Sequence, residues 1–113
     1  MENLKKTITN LISLKQEGAY WDFKRKWYDS DQNMNLLHDI ICMSNNLVNR
    51  NAYIIIGIDE EDDYSINDVL TDSNRKNTQK IVDFLKNKKF AGDIRPIVYV
   101  ESLSFAKDVI DVI

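Results

Sequence analysis

Residues 53–59 read Tyr-Ile-Ile-Ile-Gly-Ile-Asp. The run is aromatic and β-branched with no polar alternation, the pattern of a central strand covered on both faces, and Gly57 closes it. Upstream, Tyr20–Lys24 does alternate. Trp21 and Phe23 share one face and Asp22 and Lys24 the other, which predicts a short strand with one buried face. Between the two strands Leu37, Ile40, Ile41, Ser44 and Leu47 recover the helical period, giving a helix over 34–47. Leu4, Ile8, Leu11 and Ile12 do the same over 2–15, ending before Gly18. Ile81, Val82 and Leu85 mark a third helix, capped by Asp72 or Ser73 and continuing to about Asn87. Pro96 bars helix beyond Arg95, so 97–101 and 107–113 read as two strands linked around Leu103–Phe105. The expected fold class is α+β: one domain over residues 1–113, with a mixed sheet of about four or five strands and three helices.

A chain of 113 residues has room for one core. Its 43% hydrophobic and 29% charged residues are those of an ordinary globular domain, and three Gly and one Pro are too few for a loop-rich sandwich or barrel. The longest apolar stretch, Ala52–Ile58, is far short of the ~20 residues that span a bilayer, so no membrane partner is expected. The start, MENLKKTITN, lacks a secretory signal, and the single Cys42 can form no internal disulfide. A reducing cytoplasm is the natural setting. The chain stops on Val109-Ile110-Asp111-Val112-Ile113, strand-like residues without a turn or polar tail. That ending suggests an N-terminal domain excised from a longer protein, with an unpaired edge that would associate with a second copy. The alternative is a strand paired inside the sheet.

The net charge is −3, which by itself argues against nucleic acid as a partner. Its distribution argues the other way. Residues 59–72 hold seven acids and no base, whereas 75–95 hold seven bases (Arg75, Lys76, Lys80, Lys86, Lys88, Lys89, Arg95) against two acids. Lys24-Arg25-Lys26 follows the first strand, with Trp27 and Tyr28 beside it. Lys24, Arg25, Lys26, Arg75, Lys76, Lys80, Lys88, Lys89 and Arg95 are therefore the candidate contacts to a phosphate backbone, with the acidic loop facing away.

The order of these elements carries a resemblance. Glu17, then Asp22-Phe23-Lys24, a helix ending at Ser44-Asn45-Asn46, the 53–59 strand, a helix over 76–87 and Arg95-Pro96 together resemble the Schlafen/AlbA-like DNA-binding domain over about residues 14–113. The resemblance implies an N-terminal module of bacterial transcriptional regulators and ATP-binding proteins that binds nucleic acid, DNA or RNA. For Schlafen members it also implies a metal-dependent RNA endonuclease, with Glu17, Asp22 and Asp59 holding Mg²⁺ or Mn²⁺ through oxygen ligands. Two departures stand out. The family's Gly-Gly before the aliphatic strand is replaced by Val48-Asn49-Arg50-Asn51-Ala52, and the acid of the first strand is Asp22 rather than Glu.

Structural roles compete for the same residues. Glu17 ends a helix, Asp22 pairs with Lys24 or Arg25, and Asp59 opens a solvated acidic loop. Trp27 either packs or stacks on a base, with packing favoured. Cys42 is expected as a small packed residue. His38 has no histidine partner for zinc, and no phosphate-cradling glycine loop is present, so no cofactor is expected within these residues unless the nuclease reading holds. The leading function is backbone-directed nucleic-acid binding. The alternatives are the ribonuclease and a protein-interaction or dimerisation domain.

Overall fold

The computed structural model describes residues 4–18, 20–44, 51–86, 88, 97–105 and 108–113. Its centre is the isoleucine run. Strand β2 (Tyr53–Ile56) lies between β1 (Trp21–Lys24), which runs parallel to it, and β6 (Asp108–Val112), which is antiparallel. Strand β5 (Glu101–Phe105) pairs with the far side of β6, so the sheet order is β1-β2-β6-β5.

Both faces of β2 are covered, as its unalternating sequence requires. Ile54 and Ile56 enter one cluster with Trp27, Tyr28, Leu36 and Ile40, joined by Ile81 and Leu85. Ile55 enters the other with Ile8, Leu11, Trp21 and Phe23. The first cluster is closed by α2 (Asn33–Ser44) and α3 (Thr78–Lys86), the second by α1 (Leu4–Ser13). Ile8 and Leu11 are the buried positions of α1, one helical turn apart, so an amphipathic stripe seats that helix.

Gly57 turns the chain out of β2 at φ +115°, a conformation that a side chain resists. Its N–H donates to Lys24 O at 2.7 Å, and its carbonyl accepts from Asn67 N–H at 2.7 Å. Beyond it β3 (Ile58–Asp59) and β4 (Ser65–Ile66) form a small antiparallel hairpin, whose Tyr64 meets Phe23 edge to face.

Five expectations are corrected. The C-terminal strand is no edge: β6 has neighbours on both sides, because Asp111 faces Ile56 of β2 and Ser102 of β5. The argument for edge pairing from that strand therefore falls. Leu103–Phe105 is not a link but the heart of a strand, paired with Asp108–Ile110. Residues 97–100 lie outside the sheet because the Val100 N–H and C=O are both taken by the Thr78 hydroxyl, at 2.9 and 3.3 Å. The cap of α3 is Asn77, whose Oδ1 accepts from Lys80 N–H, while Asp72 receives the N–H groups of Trp27 and Asn74. Cys42 is exposed, its Sγ 3.5 Å from His38 Nε2. The Ser44-Asn45-Asn46 helix end beyond Ser44, the replaced turn at Val48–Arg50, Lys89 and Arg95-Pro96 lie outside the described residues. Among the described residues no helix is long and apolar enough to cross a membrane.

Candidate nucleic-acid interface

Parallel pairing puts the exits of β1 and β2 at one end of the sheet. Lys24 is level with Ile56, so Arg25 and Lys26 leave β1 beside the point where Gly57 leaves β2. An open cleft of about 460 Å³ lies there, lined by Lys24, Arg25, Lys26, Tyr28, Gln32 and Asn35 among others. A second of about 400 Å³ adjoins it, and Arg25 lines this one too, with Asp59, Glu60 and Glu61. The acidic run thus does not face away from the basic one, as its sequence separation suggested. The same strand pairing that collects the bases brings Asp59 to their side.

The three cations of the β1 exit differ in freedom. Lys24 Nζ sits 3.4 Å from Asp39 Oδ2 and 3.6 Å from Asp22 Oδ2. Burial acts to lower its pKa, but the pull of Asp22 and Asp39 outweighs burial and holds it above the ordinary lysine value. Its charge is already matched within the fold. Lys26 is exposed and reaches Asp29 at 3.8 Å, and Arg25 is exposed with no ion-pair partner among the described residues. These two have charge available for a ligand.

Asp22 is the perturbed acid of the site. Burial, a hydrogen bond shared with Glu17 and the charges of Glu17 and Asp39 push its pKa up to about 6, against the opposing pull of Lys24. Glu17 Oε2 also accepts from the Phe23 N–H at 3.3 Å, which plugs the outer edge of β1 with a carboxylate. Asp39, missed in the sequence because it lies on the polar side of a helix, accepts from the Tyr28 hydroxyl at 2.6 Å. Burial and this bond drive the Tyr28 pKa up.

The carboxylates implied as metal ligands are not gathered. Glu17 and Asp22 come together, but Asp59 Oδ1 accepts from the Glu61 N–H and lines the other cleft. Among the described residues no group of three or more His, Cys, Asp or Glu side chains is placed to hold a metal ion. The charge between Asp22 and Asp39 is the Lys24 ammonium, so these residues do not fit a shared Mg²⁺ or Mn²⁺.

Arg75 is withdrawn from the candidate phosphate contacts. Its Nε donates to Asp111 Oδ2 at 2.8 Å and its Nη2 to Asp111 Oδ1 at 3.1 Å and Ser102 Oγ at 3.0 Å. The bond to Asp111 raises its pKa further, and the fork geometry is used up inside the protein. Asp111 is fully buried, and its remaining capacity is met by Trp27 Nε1–H and the Ser102 hydroxyl. Trp27 is accordingly a packed residue, unavailable for stacking on a base. A lone acid within Val-Ile-Asp-Val-Ile was the available signal, since a charge in a buried strand requires a partner. Lys76 and Lys80 flank the start of α3, and Lys88 Nζ lies 4.9 Å from the centre of the Phe84 ring.

Compared with known proteins, residues 17–112 match the model of a family described as Schlafen, AlbA_2. No curated protein and no solved structure matches.

Proposed function

Given that the chain belongs to the Schlafen, AlbA_2 family, we propose that it is a nucleic-acid-binding module that holds a phosphate backbone at the exit of β1. The observation that carries this reading is the pair Arg25 and Lys26, exposed side by side in the open cleft where β1 and β2 end. Gln32 and Asn35, which line the same cleft, supply amide groups of the kind that bond phosphate and sugar oxygens. Lys24 shapes the cleft, with its charge balanced by Asp22 and Asp39. The binding is backbone-directed, since cationic side chains on a shallow wall contact phosphates without reading base edges. The ribonuclease reading would need three carboxylates placed to hold a metal ion, a group not found among the described residues, where Lys24 stands between Asp22 and Asp39.

The test is the salt dependence of binding to a short DNA duplex. Affinity should fall steeply with salt, because each neutralised phosphate releases counterions. Arg25→Gln with Lys26→Gln should reduce the log–log slope by about two, at roughly 0.9 per phosphate contact. An unchanged slope in the double variant would remove the proposal.

A further inference from the structure

The segment 97–100 presents two large apolar side chains to solvent in alternation. Ile97 is 85% and Tyr99 67% exposed, while Val98 and Val100 between and after them pack against the core beneath. The segment is tied down: the Thr78 hydroxyl, at the first residue of α3, accepts from the Val100 N–H and donates to its carbonyl. Tyr99 is thus held beside the start of a helix. Lys76 and Lys80 stand two residues to either side of Thr78, and neither has an ion-pair partner among the described residues.

From these positions we infer that Tyr99 is a stacking platform for an unpaired base, and that the occupant of this surface is a single strand of nucleic acid. The inference rests on the nucleic-acid reading above and adds the class of ligand. A tyrosine face takes any base, because every base has a π-face, and Lys76, two residues before the Thr78 that anchors this segment, supplies a cation for a phosphate of the same strand. In a duplex both faces of each base are already covered by its neighbours, so a tethered surface ring has nothing to stack on. Ile97, on the same side of the segment, extends the apolar surface next to the ring. One group opposes a phosphate here: Glu101, exposed and two residues beyond Tyr99 on the same side of the chain. The strand therefore runs over Tyr99 towards Lys76 and away from Glu101.

The experiment uses the whole chain at low salt and two fluorescein-labelled probes of equal length, about 12 nucleotides of oligothymidine and a duplex, read by anisotropy. Tyr99→Ala should weaken oligothymidine binding by about tenfold and leave duplex binding within about twofold, since its loss removes stacking but no phosphate contact. Tyr99→Phe should restore the affinity, because it keeps the ring. Glu101→Gln should tighten binding to the single strand. Both positions are exposed, so these variants keep the fold, and matched melting curves establish that. If the native protein binds both probes and Tyr99→Ala changes neither, or both equally, the stacking inference is wrong while the backbone reading stands. If the native protein binds neither probe, both fall.

Discussion

Trp27 and Asp111 lie 84 positions apart, and the indole Nε1–H of the first donates to the buried carboxylate of the second at 2.8 Å. Arg75 grips the same carboxylate from the loop before α3, and Ser102 from β5. Four segments of the chain therefore meet on one charge. Removing a single member strands the others, so Asp111→Ala should lower the unfolding free energy by ~3–5 kcal/mol. Arg75→Met should cost at least as much, because it leaves the fully buried Asp111 carboxylate without a cation, whereas Asp111→Ala leaves a guanidinium that is 27% exposed and can be hydrated. Urea denaturation of the two variants checks the order, and a loss below about 1 kcal/mol for Asp111→Ala would show that the clamp is not holding the fold.

Asp22 predicts a pH dependence with a definite sign. Its carboxyl titrates near 6 in the fold against an ordinary value of 3.8, so between these limits the folded protein binds more protons than the unfolded chain. The stability from this group is complete at the acid end and is lost as the pH rises through 6. Asp22→Asn should flatten that slope and raise stability at neutral pH by about 1 kcal/mol, after allowance for solvent screening of a partly exposed site. Urea midpoints at both ends of the range decide it. A variant less stable than the native protein at neutral pH would mean that the ion pair with Lys24 dominates.

Lys24 gives the complementary result. Lys24→Met leaves Asp22 and Asp39 facing each other with no cation between them. The destabilisation should be larger at neutral pH than near pH 5, where Asp22 has taken up its proton. Equal losses at both pH values would assign Lys24 a packing role alone.

Gly57→Ala should be among the most harmful small substitutions. A Cβ there would lie 2.9 Å from Asn67 O and 2.9 Å from Ile110 Cγ2, at a backbone φ of +115°. Strain of ~1–3 kcal/mol plus displacement of Ile110 should lower the melting temperature by roughly 10 °C. A shift of a degree or two would show that the turn relaxes freely.

The residues that made the fold legible were those whose burial depends on local pattern. Tyr53–Ile56 has no polar face, so it required cover on both sides, and Trp21 and Phe23 alternate, so they required cover on one. What local pattern does not contain is which strand lies beside which. That is why the 109–113 run was read as an edge when β6 lies inside the sheet, and why Ile97–Val100 was read as strand when Thr78 takes the Val100 backbone groups. The site was legible to the same extent. Arg25 and Lys26 were found from charge and stand exposed, whereas Arg75 looked equivalent in sequence and is bound by an acid that only the tertiary fold brings within reach. Asp39 gave no signal, because an acid on the polar side of a helix is ordinary until a lysine from another element meets it.

The place of β6 bears on how the protein is made. The strand is the last of the sheet to leave the ribosome, yet it separates β2 from β5 and carries the carboxylate that Trp27 and Arg75 require. Until residues 108–112 emerge, β2 has one open side and the arginine of the 75 position has no buried partner. The nascent domain can form α1, α2 and the parallel β1–β2 pair but not seal them, so synthesis must finish these residues before folding becomes cooperative. Pairings this distant are slow to close, and the interval leaves an isoleucine-rich strand open to other chains.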